Sequence, residues 1–95
     1  MNASDRLTLV RGALRLHLDL YDAISGSITR EASRLRGYAL AIEDLTGIDP
    51  LRLDELLHGT VRARCGTPPR HDDPARKAWF VKATTVLLPY FRGAR

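Results

Sequence analysis

Residues 38–59 read YALAIEDLTGIDPLRLDELLHG, and this stretch decides the predicted fold. Apolar side chains recur at helical spacing on both sides of a single interruption at Gly47 and Ile48. Glycine ends helices readily, because it adopts a left-handed backbone conformation without steric strain. Asp49 and Pro50 start the next helix, since aspartate caps the free amides of a first turn and proline fits the first helical position. The stretch therefore predicts two helices joined by a tight turn.

The N-terminal half is predicted to form two helices, of which the second leads into this turn. Apolar residues form two adjoining stripes over residues 5–24, a pattern typical of a helix with a wide buried face, and Ser4 is its expected N-cap. The Ser-Gly-Ser sequence at 25–27 interrupts the pattern, and a second helix is predicted over residues 28–46. His17 lies on the buried stripe, where a histidine bonded to a backbone carbonyl is expected, with contact to a partner subunit as the alternative.

The C-terminal half is predicted to add two helices separated by a loop. A short third helix spans residues 50–58. Residues 59–73 contain two glycines, two prolines and three arginines without apolar periodicity, which indicates a basic loop. A second Asp-Pro pair then starts a fourth helix, which Pro89 is expected to end or kink. The predicted fold is all-α, one compact four-helix domain over residues 1–95.

The composition excludes several classes of protein. Cys65 is the only cysteine, so an intrachain disulfide is impossible and a reducing compartment is the simpler expectation. The N-terminus lacks the apolar stretch of a secretory signal. The longest uncharged run, residues 83–91, is too short to span a membrane. We therefore expect a cytoplasmic protein that does not enter a membrane.

The formal net charge of +4 is unevenly distributed along the chain. Residues 1–48 hold six arginines and six acidic residues, whereas residues 49–95 hold nine basic and five acidic residues. A basic surface in the second half would favour nucleic acid or an acidic protein as partner, and charge alone does not choose between them.

The spacing around the tight turn resembles a known DNA-binding motif. Apolar residues and glycines fall at the positions that the motif uses, namely Ile42, Leu45, Gly47, Ile48, Leu53, Leu56 and Gly59. This arrangement resembles the helix-turn-helix of phage repressor and Cro-like regulators. The resemblance implies a helix-turn-helix-like corner and double-stranded DNA as partner, because in that family the helix after the turn enters the major groove. The residues implied to meet base edges are Asp49, Arg52 and Glu55.

The predicted third helix departs from that family in its charge. It exposes Asp49, Asp54 and Glu55 against Arg52 alone, and net negative charge opposes attraction to phosphates. Compensating contacts with phosphates are expected from basic residues further along the chain: Arg62, Arg64, Arg70, Arg76 and Lys77. The alternative function is a non-enzymatic helical adaptor, which binds another protein through this acidic helix or through the aromatic residues near the C-terminus.

The last predicted helix is apolar on more than one face, which a small four-helix core does not obviously accommodate. Helix-turn-helix proteins also commonly pair to span two half-sites of DNA. We therefore expect a homodimer whose interface contains Val81, Leu87, Leu88 and Phe91. A central core helix would explain the same apolar pattern without a partner.

No residue pattern in the sequence points to catalysis, to a metal or to a cofactor. Adjacent carboxylates such as Asp54 and Glu55 point about 100° apart on a helix, so they do not converge on one substrate atom. Cys65 and His71 lack the further paired ligands that zinc requires. We therefore expect a regulator or adaptor and not an enzyme, with neither metal nor cofactor.

Overall fold

The computed structural model describes residues 2–23 and 28–92, and within them it is all-α, as the sequence predicts. The α-helices are α1 (Ala3–Asp22), α2 (Ile28–Thr46), α3 (Pro50–Glu55), α4 (Val61–Cys65) and α5 (Ala75–Leu87). A π-helical turn over Leu56–Thr60 joins α3 to α4, and a 3-10 turn over Leu88–Tyr90 follows α5. The described residues contain no strand.

The two N-terminal helices form where the apolar pattern predicts them. α2 has the predicted bounds. α1 begins earlier than predicted, because the side chain of Asn2, not that of Ser4, caps it by accepting a hydrogen bond from the Asp5 amide at 2.8 Å. α1 ends at Asp22. The predicted interruption at 25–27 lies outside the described residues.

The tight turn between α2 and α3 forms as the sequence predicts. Gly47 adopts the left-handed conformation with a φ of 79°, which glycine tolerates best. The Asp49 carboxylate caps α3 by accepting from the Arg52 amide at 2.8 Å. Ile48 is half-buried against the core, and its amide donates to the Thr46 hydroxyl at 3.2 Å. Local hydrogen bonds and one apolar contact therefore fix this corner.

The third helix is longer than predicted, so the predicted basic loop over 59–73 is wrong in its first part. α3, the π-helical turn and α4 form one continuous helix, which stops before Gly66, where φ is 78°. In the π-helical turn the Val61 amide donates to the Leu56 carbonyl, five residues earlier. The buried apolar residues of this helix are Leu53, Leu56, Leu57 and Val61. Because tertiary burial contributes more to helix stability than intrinsic propensity, the helix continues through Gly59.

The core draws side chains from every helix. α1 packs against both α2 and α5, and α4 packs against α5. The buried apolar residues are Val10, Ala13, Leu14, Leu18, Ala39, Ile42, Leu53, Leu56, Leu57, Val61, Trp79, Ala83, Val86, Leu87 and Phe91. Two side-chain hydrogen bonds fasten neighbouring helices: the Tyr38 hydroxyl donates to the Leu9 carbonyl at 3.3 Å, and Trp79 Nε1 donates to the Gly66 carbonyl at 3.0 Å.

The last helix begins and ends at the two signals that the sequence contains. At its start the Asp73 carboxylate accepts from the Ala75 amide at 2.9 Å. Pro89 lies in the 3-10 turn that terminates the helix, and Phe91, just after this turn, is fully buried. None of the described helices has both the length and the apolar character needed to cross a bilayer.

Candidate functional site

A groove of about 720 Å³ lies between α1 and α5 and combines positive charge with apolar surface. We call it the basic groove and define it by Arg11, Arg15, Leu18, Lys77, Phe80 and Val81. Its apolar floor is open to solvent, since Val81 is 59% exposed. The loop that precedes α5 adds His71, Asp72 and Asp73 to the lining of the groove.

Helical spacing brings these side chains to the same groove. On α1, Arg11 and Arg15 are one turn apart, and on α5 the same spacing joins Lys77 to Val81. The guanidinium carbon of Arg15 lies 5.8 Å from the centre of the Phe80 ring, a distance suited to a cation–π contact. The exposed guanidinium of Arg15 therefore lies beside the aromatic part of the apolar floor.

The cations of the basic groove are not neutralised by nearby acids. Within the described part of the chain, Arg11, Arg15 and Lys77 form no ion pair. The two acids at the end of the groove have other partners: Asp73 caps α5, and Asp72 lies 3.9 Å from Nε of an exposed arginine, Arg70. The groove therefore presents unpaired positive charge beside an apolar surface.

The residues predicted to meet DNA bases form an acidic surface at the beginning of α3. Asp49 caps the helix. The guanidinium of Arg52 lies 3.6 Å from a Glu55 carboxylate oxygen and 5.7 Å from the centre of the Tyr90 ring. Leu51 lies beside them and is 73% exposed. The single cation of this surface is thus paired internally, and the remaining charge is negative.

The predicted phosphate-contacting cations have different surroundings. Arg64 and Arg70 are exposed, and Lys77 lines the basic groove. Arg76 is already bound: its two terminal nitrogens donate to the two carboxylate oxygens of Asp22 at 3.1 and 2.7 Å. This paired arrangement joins α5 to the end of α1, so Arg76 serves the fold, and a phosphate there would have to compete with Asp22.

Two of the predicted dimer-interface residues belong to the core of the single chain. Leu87 and Phe91 are both fully buried, so the interface expectation is wrong for them. The single chain shields both side chains completely, and no second subunit is needed for this. Leu88 is half-buried against the same core, whereas Val81 is exposed in the basic groove.

A smaller cavity of about 60 Å³ lies between α1 and the third helix. We call it the histidine cavity, and its lining consists of His17, Leu20, Tyr21, His58 and Arg62. The two imidazole rings meet edge to face with their centres 4.8 Å apart. The guanidinium of Arg62 lies 5.3 Å from the centre of the Tyr21 ring. Arg62, predicted as a phosphate contact, is therefore half-buried among aromatic side chains.

The hydrogen bonding of His17 differs from the expectation. Its Nε2 lies 3.5 Å from Nη2 of Arg62, and its Nδ1 has no partner among the described residues, so no backbone carbonyl binds the ring. Burial, followed by the positive charges of His58 and Arg62, lowers the pKa of His17 from 6.5 to about 4. The ring is consequently neutral at neutral pH.

Sequence reasoning missed Arg11 and Arg15 as members of a site. Their signal is present, because two arginines four residues apart mark one exposed face of an amphipathic helix. On the other side of the groove the sequence analysis does single out Lys77 and Val81, but for other roles. Nothing in the sequence joins them to α1, since the contact between α1 and α5 connects distant parts of the chain.

Comparisons with known proteins found no matching family model, curated protein or solved structure. In the described residues, no group of three or more His, Cys, Asp or Glu side chains is placed to hold a metal ion. The basic groove and the histidine cavity remain as the two candidate sites.

Proposed function

We propose that this protein is a non-enzymatic binding module, and that its basic groove takes up an acidic amphipathic segment of another protein. The observation that carries the proposal is the combination of three cations without ion-pair partners among the described residues and an exposed apolar floor. Exposed apolar surface rimmed by polar groups commonly marks a binding site.

The chemistry of the basic groove favours one class of partner. Apolar side chains on one face of a partner helix would cover Phe80 and Val81, while its Asp or Glu residues would meet Arg11 and Arg15. A nucleic-acid backbone would use the cations but would leave the apolar floor in water. An acidic amphipathic helix uses both parts of the groove and is therefore the partner that fits it.

A designed peptide tests the proposal. It carries leucine at helical spacing on one face, glutamate at the flanking positions and a fluorescent label, and its anisotropy is titrated with the full chain. A scrambled peptide of the same composition keeps the charge and loses the apolar face. We expect the designed peptide to bind saturably. The scrambled peptide should bind more weakly, by about tenfold or more, because burying one leucine contributes at least a tenfold gain in affinity.

Two variants that each lower the net charge by one locate the binding surface. Val81→Asp alters an exposed side chain, so the fold should persist, and it places a like charge against the acidic peptide. We expect affinity to fall by about tenfold or more. Lys82→Gln, on the neighbouring exposed residue outside the groove, should change affinity little. Equal losses in both variants would mean that net charge drives the binding, and the proposal would be wrong.

Double-stranded DNA is the second candidate partner, and the turn between α2 and α3 favours it. The left-handed Gly47 and the half-buried Ile48 have the features of the helix-turn-helix resemblance. The acidic surface at the start of α3 opposes it. Contacts with about four phosphates would give a slope of log affinity against log salt near −3.6. Duplex binding with this slope, tighter than peptide binding and unaffected by Val81→Asp, would replace the adaptor proposal.

A second copy of the chain is the third occupant that the test distinguishes. Light scattering would then report a dimer that Val81→Asp converts to a monomer, and the groove would be a homodimer interface. A monomer that binds the acidic peptide supports the adaptor. Because Cys65 is free, the proposal places the protein in the reducing cytoplasm.

A further inference from the structure

Two buried donors of the histidine cavity have no acceptor among the described residues, namely Nδ1 of His17 and Nε of Arg62. His17 is only 2% exposed. Since Arg62 Nη2 can only donate to Nε2 of the ring, the neutral ring carries its proton on Nδ1. Buried donors are almost always hydrogen-bonded in proteins, because an unpaired one destabilises the fold. The cavity therefore favours a ligand that accepts hydrogen bonds.

The histidine cavity also holds positive charge without a matching carboxylate. Within the described part of the chain Arg62 forms no ion pair. Asp54 is the one carboxylate that reaches the cluster there, and it pairs with His58, 3.3 Å from its Nε2. Tyr21 supports the guanidinium through its ring face but brings no counter-charge. Because the Arg62 guanidinium is partly withdrawn from water and has no carboxylate partner among the described residues, a negatively charged acceptor fits this site better than water.

The cavity has room for a ligand of a few atoms. A cavity needs about 10–15 Å³ of accessible volume to hold one water molecule, and this one has about 60 Å³. Chloride and formate are of this size, whereas a peptide side chain with its backbone or a nucleotide is too large. Leu20 contributes apolar surface to the lining, so the ligand loses part of its hydration. A monovalent anion is favoured over a divalent one, because desolvation is more unfavourable for the higher charge.

We propose that the histidine cavity binds one small monovalent anion, of the size of chloride or formate, beside Arg62 and the rings of His17 and His58. The anion supplies an acceptor for the buried donors and a counter-charge for the guanidinium. The site is lined by none of the side chains that define the basic groove, so it does not depend on the proposed protein partner. A ligand that binds only the folded chain raises its stability.

Thermal unfolding of the full chain tests the anion site. Circular dichroism is followed at neutral pH while sodium gluconate is replaced by sodium formate or sodium chloride at constant ionic strength. Gluconate is the control for general salt effects, since it is too large for the cavity. We expect the midpoint temperature to rise saturably with formate or chloride. Identical curves in all three salts would mean that the cavity holds only water, and the proposal would be overturned.

Two neighbouring arginines provide matched variants. Arg62→Gln removes the guanidinium from the cavity, and Arg64→Gln removes an exposed guanidinium from the same helix. We expect Arg62→Gln to weaken anion binding by about tenfold or more, as for loss of one hydrogen bond to a charged group. Arg64→Gln should retain the full response. An equal response in both variants would place the anion elsewhere and contradict the proposal.

If Arg62→Gln does not fold, nuclear magnetic resonance of the imidazole rings in the unaltered chain tests the same proposal. In the unaltered chain, formate or chloride should shift the His17 ring signals saturably, with the same apparent affinity as the thermal shift. The exposed His71 ring is the internal control and should not follow this titration. The salt that acts at the lower concentration identifies the ligand as halide or carboxylate. Unchanged His17 signals in both salts would overturn the proposal.

Discussion

The basic groove and the histidine cavity both place positive charge beside α1, but they differ in access to water. In the groove, Arg11, Arg15 and Lys77 are exposed, so each charge remains hydrated and destabilises the fold little. In the cavity, His17 is buried and Arg62 is half-buried, and the ring stays neutral as a consequence. Groove cations are therefore available to a large partner, whereas the half-buried guanidinium of Arg62 suits a small ligand such as the proposed anion.

This difference also predicts how the two sites respond to salt. Interactions of exposed charges are screened over about 10 Å at moderate ionic strength, so peptide binding to the basic groove should weaken as any salt is added. Binding in the histidine cavity should depend on which anion is added. We therefore expect peptide binding in the groove to depend on ionic strength, and anion binding in the cavity to depend on the kind of anion.

The largest expected effect tests the core on which both sites depend. Phe91→Ala should lower the free energy of unfolding by about 3–5 kcal/mol, because it empties a fully buried aromatic position. Tyr90→Ala, at the exposed neighbouring residue, is the control and should lose much less. Urea denaturation measures both. Similar small losses in the two variants would show that Phe91 is not a core residue, and the segment after α5 would then be free to pair with a second copy.

The second effect is the pH dependence of the buried ring. His17 has a folded-state pKa of about 4, below the unfolded value of 6.5, so its contribution to stability is complete above pH 6.5 and is lost as the pH falls toward 4. Between pH 6.5 and pH 4 the free energy of unfolding of the unaltered chain should fall by about 3 kcal/mol more than that of His17→Leu. Urea denaturation across this range checks the difference.

A histidine outside the cavity provides the control for this titration. His71→Gln removes an exposed imidazole from the loop before α5 and should keep the pH dependence of the unaltered chain. If His17→Leu showed the same acid-induced loss as the unaltered chain, the ring would be accessible to protons in the folded state, and the distinction between groove and cavity would fail.

An intermediate effect is expected where a cation is already paired. Asp22→Asn weakens the double hydrogen bond that holds Arg76, and the two side chains are 29% and 15% exposed. We expect a loss of about 1 kcal/mol in unfolding free energy. Asp72→Asn removes an exposed, longer pair and should have no measurable effect. Equal results for the two would mean that Arg76 does not fasten α5 to α1.

The smallest effect on stability is expected in the basic groove. Arg11→Gln and Arg15→Gln should each change the free energy of unfolding by no more than about 0.5 kcal/mol, because both side chains are exposed. The same variants should weaken binding of the acidic peptide. A marked loss of stability would show that these cations stabilise the fold, and it would contradict the assignment of the groove as a binding site.

Sequence reasoning predicted the parts of the fold that local chemistry determines. The Gly47 turn and the Asp49 cap depend on residues within a few positions of each other, so their sequence signals are sufficient. At Gly59 the local signal was misleading, since glycine occurs both after a helix and inside one. Burial of Val61 decided the outcome, and a π-helical turn does not appear in a search for ordinary helical periodicity.

The candidate sites were less predictable because their partners are distant in sequence. The sequence predicts a phosphate contact for Arg76, whose partner in the fold, Asp22, is 54 residues away. It predicts the same for Arg62, which meets His17 across 45 residues. Composition and spacing identify such side chains as cations without indicating which of them the fold will neutralise. That information is present only once α1, α4 and α5 are packed.

The π-helical turn over Leu56–Thr60 marks the one described part of the third helix that can change its length without turning its faces. This turn closes an i to i+5 hydrogen bond and so holds one residue more than an α-helical turn of nearly the same rotation. Removing one residue there would let an ordinary α-helix continue with Val61 still toward the core and Arg62 still beside Tyr21. A deletion inside α3 or α4 would instead rotate the residues that follow by about 100°. Among descendants of this sequence, single-residue changes of length should therefore accumulate in the exposed loop 69–73 and at the π-helical turn, and not within α3 or α4.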